Sequence, residues 1–264
     1  GSLYQGFKPV FWSTVEKTAL ADAEVEYHDH TSNTIFVAFK VKETKKDFLK
    51  DTNIIIWTTT PWTIPANRAL AFNSGFDYSV IEISDLESFK EKKIVIATKL
   101  IDSVIKSCNI EKFKILHTFK GSDFEGTLCS HPFLNLGYDY DVPTLDGRFV
   151  TLEQGTGIVH CAPSHGVDDY NLCLKHNIPS KYTVDDSGYY TKEIPNFDRV
   201  HVFKADPIVI DKLKEENKLL KNDKLQHSYP HSWRSKAPLI YRATPQWFIS
   251  MEKNSLRDKA IKAI

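Results

Sequence analysis

Ile54, Ile55, Ile56 and Trp57 form an unbroken apolar run that constrains this chain more than any other stretch. Successive side chains of a β-strand point to opposite faces, so such a run predicts a strand buried on both sides. The rest of the chain must then cover it twice. Thr58, Thr59 and Thr60 follow at once, and Pro61 ends the strand because it has no amide proton to give a neighbour. As β-formers with an N-cap ahead of a proline, these threonines would be ordinary. One cap needs one hydroxyl, however. Clustered hydroxyls at the end of a buried strand also suit orienting a water, polarising a carbonyl or gripping a ribose.

Around this run the pattern predicts strands over residues 34–41, 69–72, 78–83, 93–98 and 113–120, with shorter ones at 189–191 and 200–203. Helices are expected at 14–23, 85–90, 100–107 and 207–220. In the last of these, Ile208, Val209, Leu213, Leu219 and Leu220 face inward among lysines and glutamates. Many short strands with few helices argue for an α+β fold, a β-barrel or curled sheet decorated by helices.

Composition sets outer bounds. A chain of 264 residues can bury a sizeable core, and its 34 basic and 34 acidic residues cancel. Bulk attraction to a polyanion is therefore not its main device, though a local basic patch is compatible with it. Cys108, Cys129, Cys161 and Cys173 form no Cys-x-x-Cys pair, and scattered free thiols fit a reducing cytoplasm. The sequence has no signal peptide and no apolar run of membrane-spanning length. Gly1-Ser2 reads as the scar of an expression tag and the end as a helix broken off midway, so the chain is expected to be a piece of a longer one.

The densest chemistry lies between Gly155 and Tyr170, which reads as strand, turn and helix. Ile158 and Val159 are β-formers, Pro163, Ser164 and Gly166 break the strand, and Asp168-Asp169 opens a helix running to about His176. A carboxylate in a first helical turn is expected to stay ionised, suited to holding an ammonium and poorly suited to acting as a base. His160 alternates with Ile158 on one strand face. It is either a satisfied structural histidine or a site residue, with Gly155 and Gly157 opening space around it. His160, His165, Asp168 and Asp169 are metal-ligand types, but their spacing matches no metalloenzyme motif. No Gly-x-Ser-x-Gly elbow or phosphate-binding glycine loop is present. Farther on, the tract from His227 to Phe248 interleaves aromatics with Arg234, Lys236 and Arg242. It suits either a nucleic-acid strand that needs stacking and phosphate contacts or a packed aromatic seam.

Taken together, Trp57-Thr-Thr-Thr-Pro-Trp-Thr-Ile-Pro-Ala-Asn67, Gly155-Thr-Gly-Ile-Val-His160, Ala162-Pro163, His165-Gly166, Asp169-Tyr170 and Tyr229-Pro-His-Ser-Trp-Arg234 resemble the editing domain of isoleucyl-tRNA synthetases. The resemblance covers nearly the whole chain. Valyl and leucyl relatives usually carry Thr-Thr-Arg-Pro where this chain has Thr59-Thr60-Pro61, and a different residue at His160. Ser232 stands where a cysteine is common. The motifs that bind ATP in a whole synthetase of this class are absent, so the resemblance implies no aminoacylation and no cofactor.

What it does imply is an editing domain of the class I valyl, isoleucyl and leucyl type. A β-barrel core would span residues 3–225, and residues 226–264 would return toward a parent catalytic domain. The activity would be hydrolysis of the ester of misacylated Val-tRNA(Ile), because a missing methylene is worth only about 1–3 kcal/mol in a hydrophobic pocket, a limit commonly illustrated with isoleucine and valine themselves. By the same resemblance Asp169 would hold the α-ammonium and His160 would line the side-chain pocket beside Gly155, Gly157 and Ala162. Trp57, Thr58, Thr59, Thr60, Thr63 and Asn67 would surround the ester and terminal adenosine and position water. The implied partners are the aminoacylated 3′ end of tRNA(Ile) and its valine moiety, in a cytoplasmic monomer with no membrane contact and no metal.

Overall fold

The computed structural model describes residues 1–84, 86 and 89–264. In chain order the strands and helices are β1 (Leu3–Ser13), β2 (Thr18–Ala19), β3 (Val25–Glu43), β4 (Asn53–Thr58), β5 (Ala69–Phe72), β6 (Asp77–Ile83), β7 (Lys93–Ala97) and α1 (Ile101–Ser107). They continue with β8 (Phe113–Lys120), β9 (Leu128–Ser130), β10 (Asp141–Asp146), β11 (Val159–Cys161), α2 (Val167–Lys175), α3 (Ala205–Glu215), β12 (Leu219–Ser232), β13 (Ile240–Ile249) and α4 (Leu256–Ala263).

The Ile54–Trp57 run sits in β4, where the pattern requires it to be. β3 pairs with one edge of β4 in antiparallel register, Ala38 opposite Ile55, and β7 pairs with the other edge in parallel. Ile54, Ile55 and Ile56 have no exposed surface. The large mixed sheet runs β11-β5-β10-β9-β3-β4-β7-β6-β8, with β12 laid along β3. A separate small sheet joins β13, β1 and β2.

The expected β-barrel is not closed. β11 at one end of the path curls back beside β4, and the amide of Ala97 in β7 donates to the Thr156 carbonyl at 2.8 Å. Among the described residues no ladder joins β11 to β8 at the other end. The physical reason is local: Gly155 and Gly157 take positive φ, and β11 is three residues long before Pro163 stops it.

Several elements differ from the sequence pattern. Residues 14–23 form a turn, β2 and a short 3₁₀ helix (Asp22–Glu24) instead of one helix, because Lys17 adopts a left-handed φ of 53°. Leu219 and Leu220 are buried as expected, but as the start of β12 rather than the end of α3. Residues 189–191 and 200–203 meet through an isolated Tyr189–His201 bridge and a 3₁₀ turn, not through strands. The helix expected over 85–90 falls on Asp85, Glu87 and Ser88, which lie outside the described residues. β12 runs unbroken past Leu225, where the sequence reading divides the chain, and pairs with β3 from Leu219 to Ser232.

A small core of Ala69, Ala71, Leu145, Val150, Cys161, Leu172 and Cys173 fastens α2 over β5 and β11. This packing holds the first turn of α2 against the end of β11. No helix among the described residues is long and apolar enough to cross a membrane.

Candidate functional site

β4 delivers Thr58 at its end, and a 3₁₀ turn over Pro61–Ala66 folds the chain back so that Thr63 meets the same spot. The Thr60 amide donates to Thr58 Oγ1 at 3.1 Å; the Thr58 and Thr60 hydroxyls lie 3.1 Å apart, and those of Thr60 and Thr63 lie 3.3 Å apart. Thr63 Oγ1 is 2.8 Å from His160 Nε2, and Asn67 Nδ2 is 3.0 Å from His160 Nδ1. Four side chains from one short segment and the distant His160 thus share one hydrogen-bonded chain.

The proton positions follow from the partners. Asn67 Nδ2 also donates to the Ala69 carbonyl at 3.0 Å, which fixes the orientation of its amide. His160 Nδ1 must therefore accept, so its proton sits on Nε2 and is donated to Thr63 Oγ1. Thr63 passes its own proton to the Thr60 carbonyl at 2.9 Å. Burial, with His165 nearby, pushes the His160 pKa down to about 3. The imidazole is neutral, and both of its ring nitrogens are engaged inside the protein.

Trp57 is half-buried, and its ring lies on Gly155: a Cβ built there would stand 3.5 Å from the ring. Gly157 has a φ of 73°, and a Cβ on it would meet Ala97 Cβ at 2.4 Å. The sequence reading expects these glycines to open space around His160. Instead they let β7 and Trp57 come close. Trp57, Thr58, Thr59, Gly155 and Gly157 line a cleft of ≈ 260 Å³. Thr59 is shared with a second cleft of ≈ 310 Å³, where Thr60, His30, Asp206 and Tyr229 form the wall.

Asp169 folds back from the first turn of α2. Its Oδ2 accepts from the Ala162 amide at 2.8 Å. Gly166 makes room for this, since a Cβ there would fall 2.9 Å from the carboxyl carbon. Ala162 follows His160 by two residues, so the backbone of β11 connects Asp169 to the threonine chain. The expected full ionisation is not what the structure gives. Burial, reinforced by the neighbouring charge of Asp168, outweighs the dipole of a nine-residue helix and raises the Asp169 pKa to about 7.

His165 and Asp168 lie apart from this arrangement. His165 Nδ1 bonds the Tyr241 carbonyl of β13 at 2.9 Å and Nε2 bonds the Thr183 hydroxyl at 2.8 Å, so the ring ties β13 to the segment that follows α2. Asp168 is exposed. Every ring nitrogen of His160 and His165 is thus engaged inside the protein.

Four residues outside every motif named above hold the 61–67 segment from outside. His131 Nε2 donates to the Ile64 carbonyl at 3.1 Å, and Tyr140 donates to the Asn67 carbonyl at 2.7 Å. The Tyr190 hydroxyl donates to the Trp62 carbonyl, and Asp206 accepts the Trp62 amide at 3.2 Å. The only local signal was Asp206-Pro207 at a helix start. The tract from His227 onward is mostly strand seam. His227, Tyr229 and His231 share a face of β12 with His28 and His30 of β3, and Tyr229 stacks 4.8 Å from His30.

Comparison with known proteins bears on this arrangement. A family model described as tRNA synthetases class I (I, L, M and V) matches residues 1–264. An isoleucine–tRNA ligase of Pelagibacter ubique is 67% identical over 264 residues, and one of Gluconobacter oxydans is 46% identical over 282. Each alignment takes in the whole chain, which spans about 29% of the length of these curated relatives. Among solved structures, GlLeuRS-CP1 matches with a TM-score of 0.56 at 12% identity, over 72% of this chain and 99% of that one. The P. knowlesi cytosolic leucyl-tRNA synthetase editing domain matches with a TM-score of 0.53 at 13% identity, over 71% and 95%. At such identities the likeness is one of fold. The match across its full length shows that this chain belongs to the class I tRNA synthetases (I, L, M and V), as a portion with the fold of their editing domains.

Proposed function

We propose that the chain proofreads by hydrolysing the ester of misacylated Val-tRNA(Ile), releasing valine and a tRNA with a free 3′ end. The observation that carries this reading is the neutral His160, locked between Thr63 and Asn67 at the end of a threonine-lined strand. A sieve needs a wall that neither moves nor demands a charged partner, and both ring nitrogens are satisfied within the protein. The Trp57, Thr59 and Gly155 cleft takes the aminoacyl ester, with the hydroxyls of Thr58, Thr59 and Thr60 orienting the carbonyl and the attacking water.

Asp169 receives the α-ammonium, whose positive charge favours the carboxylate form and offsets the burial that otherwise raises its pKa. The nucleophile is water. Cys108, Cys129, Cys161 and Cys173 are all buried, with their thiol pKa values raised by desolvation, so none offers a ready thiolate. His160 has no free lone pair for a base role. An aminoacyl ester is already activated, and positioning supplies what remains. The partner is the aminoacylated 3′ end of tRNA(Ile); no cofactor enters the reaction, and the working unit is a cytoplasmic monomeric enzyme.

The test compares deacylation of Val-tRNA(Ile) and Ile-tRNA(Ile) by this chain. Turnover of the first and sparing of the second is expected, and tight tRNA binding without turnover would sink the reading. His160→Ala should open the wall and raise the rate on Ile-tRNA(Ile) roughly 10-fold, the scale of one methylene in a pocket. It should also lower stability by about 1–3 kcal/mol, because the Asn67 amide loses its buried partner.

A further inference from the structure

Trp62 lies between Thr60 and Thr63 and is held by neither of them. Its amide proton goes to Asp206 Oδ1 at 3.2 Å, and its carbonyl is taken by the Tyr190 hydroxyl. The second oxygen of Asp206 accepts from Asn33 Nδ2 at 3.0 Å. Asp206 stands in the first turn of α3 and Asn33 on β3, so one carboxyl group ties a helix, a strand and the Pro61–Ala66 turn together. Both partners of Asp206 are N–H donors. A carboxylate satisfies both donors at once. The same group lines a cleft shared with Thr59 and Thr60.

The lever is short. Trp62 precedes Thr63 by one residue, and Thr63 Oγ1 is the acceptor for the Nε2 proton of His160. A turn free to shift at Trp62 carries Thr63 away from the imidazole and leaves the wall loose.

We propose that Asp206 is a positioning residue for selectivity: through Trp62 it fixes Thr63, and through Thr63 it fixes His160, so the preference for valine over isoleucine depends on it. This rests on the proofreading reading above.

Asp206→Ala tests it in the 264-residue chain, because an asparagine there could still accept the Trp62 proton once the Asn33 amide turned over. The ratio of Val-tRNA(Ile) to Ile-tRNA(Ile) deacylation should fall roughly 10-fold, on the scale of one buried hydrogen bond lost. The double variant Asn33→Asp/Asp206→Asn should restore the ratio, because the new amide can donate to the new carboxylate while its oxygen takes the Trp62 proton. Tyr190→Phe keeps the buried ring and frees the other side of Trp62, so it should lower the ratio in the same direction. It decides the matter if Asp206→Ala fails to fold by thermal melting. The side-chain ¹⁵N shifts of His160 read the same network without substrate. They should report the Nε2–H tautomer in both chains, because Asn67 sets it, and the Nε2 proton should exchange with solvent several-fold faster in Asp206→Ala as its bond to Thr63 loosens.

Folded variants that lose both activities in equal proportion, or a swapped pair that recovers no selectivity, overturn the inference. An unchanged exchange rate of the His160 Nε2 proton in Asp206→Ala overturns it as well. A parent chain that hydrolyses neither ester overturns the proposed function instead, and the exchange measurement then judges the Asp206 linkage alone.

Discussion

Asp169 is pulled two ways. A role in holding an ammonium requires negative charge, while its place behind β11 raises its pKa to about 7. Between its unfolded value near 3.8 and that folded value, the folded chain binds the extra proton. Its contribution to stability is therefore complete below about pH 3.8 and is lost as the pH rises through about 7. Asp169→Asn keeps an acceptor for the Ala162 amide and removes the charge. In thermal melts the variant should gain stability over the parent chain at pH 8 but not at pH 3.5, while deacylation of Val-tRNA(Ile) drops roughly 100-fold or more, as when one partner of a buried charge pair is removed. In the parent chain KM for Val-tRNA(Ile) should rise as the pH falls below about 7, where the carboxyl takes its proton. A KM that is flat from pH 8 to 6 would count against the ammonium role. The position of Asp169 in a first helical turn was legible from Pro163, Gly166 and the acidic pair. Its protonation was not, because desolvation depends on which elements cover it.

At the scale of elements, the glycines before β11 do the shaping. Gly155 and Gly157 have φ values of 77° and 73°, a region that costs other residues roughly 1–2 kcal/mol. Gly155→Ala should cost about that much, since its added methyl meets only the Trp57 ring at ordinary contact. Gly157→Ala adds a clash with Ala97 across the near-closure of the sheet and should lower the urea midpoint further. Equal midpoints for the two variants would show that the approach of β7 is softer than the geometry implies. Strands β4, β5, β6, β7 and β8 could be read from alternation, apolar runs and turn residues. Leu219 and Leu220 read as the end of the 207–220 helix, because an apolar pair after a helix serves either element, and pairing of Leu219 with Val37 of β3 decides for the strand.

Across the whole molecule, three histidines sit desolvated and neutral: His131 with its pKa lowered to about 3, His160 to about 3 and His165 to about 4. Unfolding returns each to a value near 6.5, so the unfolded chain takes up protons that the folded chain refuses. Stability should fall as the pH drops below about 6.5, well above the range where ordinary carboxylates titrate. Asp169 and Asp206, both raised by burial, work in the opposite direction over part of that range, while His30 and His201, both lowered by burial, work with the three. Urea unfolding followed by tryptophan fluorescence at pH 7, 6 and 5 should show the decline, and a constant midpoint would mean that these histidines are solvated in the folded chain.

Sequence alone determined what acts over short distances. The double-faced burial of Ile54–Ile56, the stop at Pro61, the strand–turn–helix at Gly155–Tyr170 and the resemblance carried by those residues are all properties of neighbouring side chains. Thr58, Thr60, Thr63, Asn67 and His160 were each named from it. Only the tertiary structure decided that they form one proton-ordered chain, that Asp169 is desolvated, that the barrel stays open, and that His131, Tyr140, Tyr190 and Asp206 clamp the threonine turn. These clamps join positions separated by as many as 144 residues, and a hydrogen bond at that separation leaves no periodicity for a sequence to display.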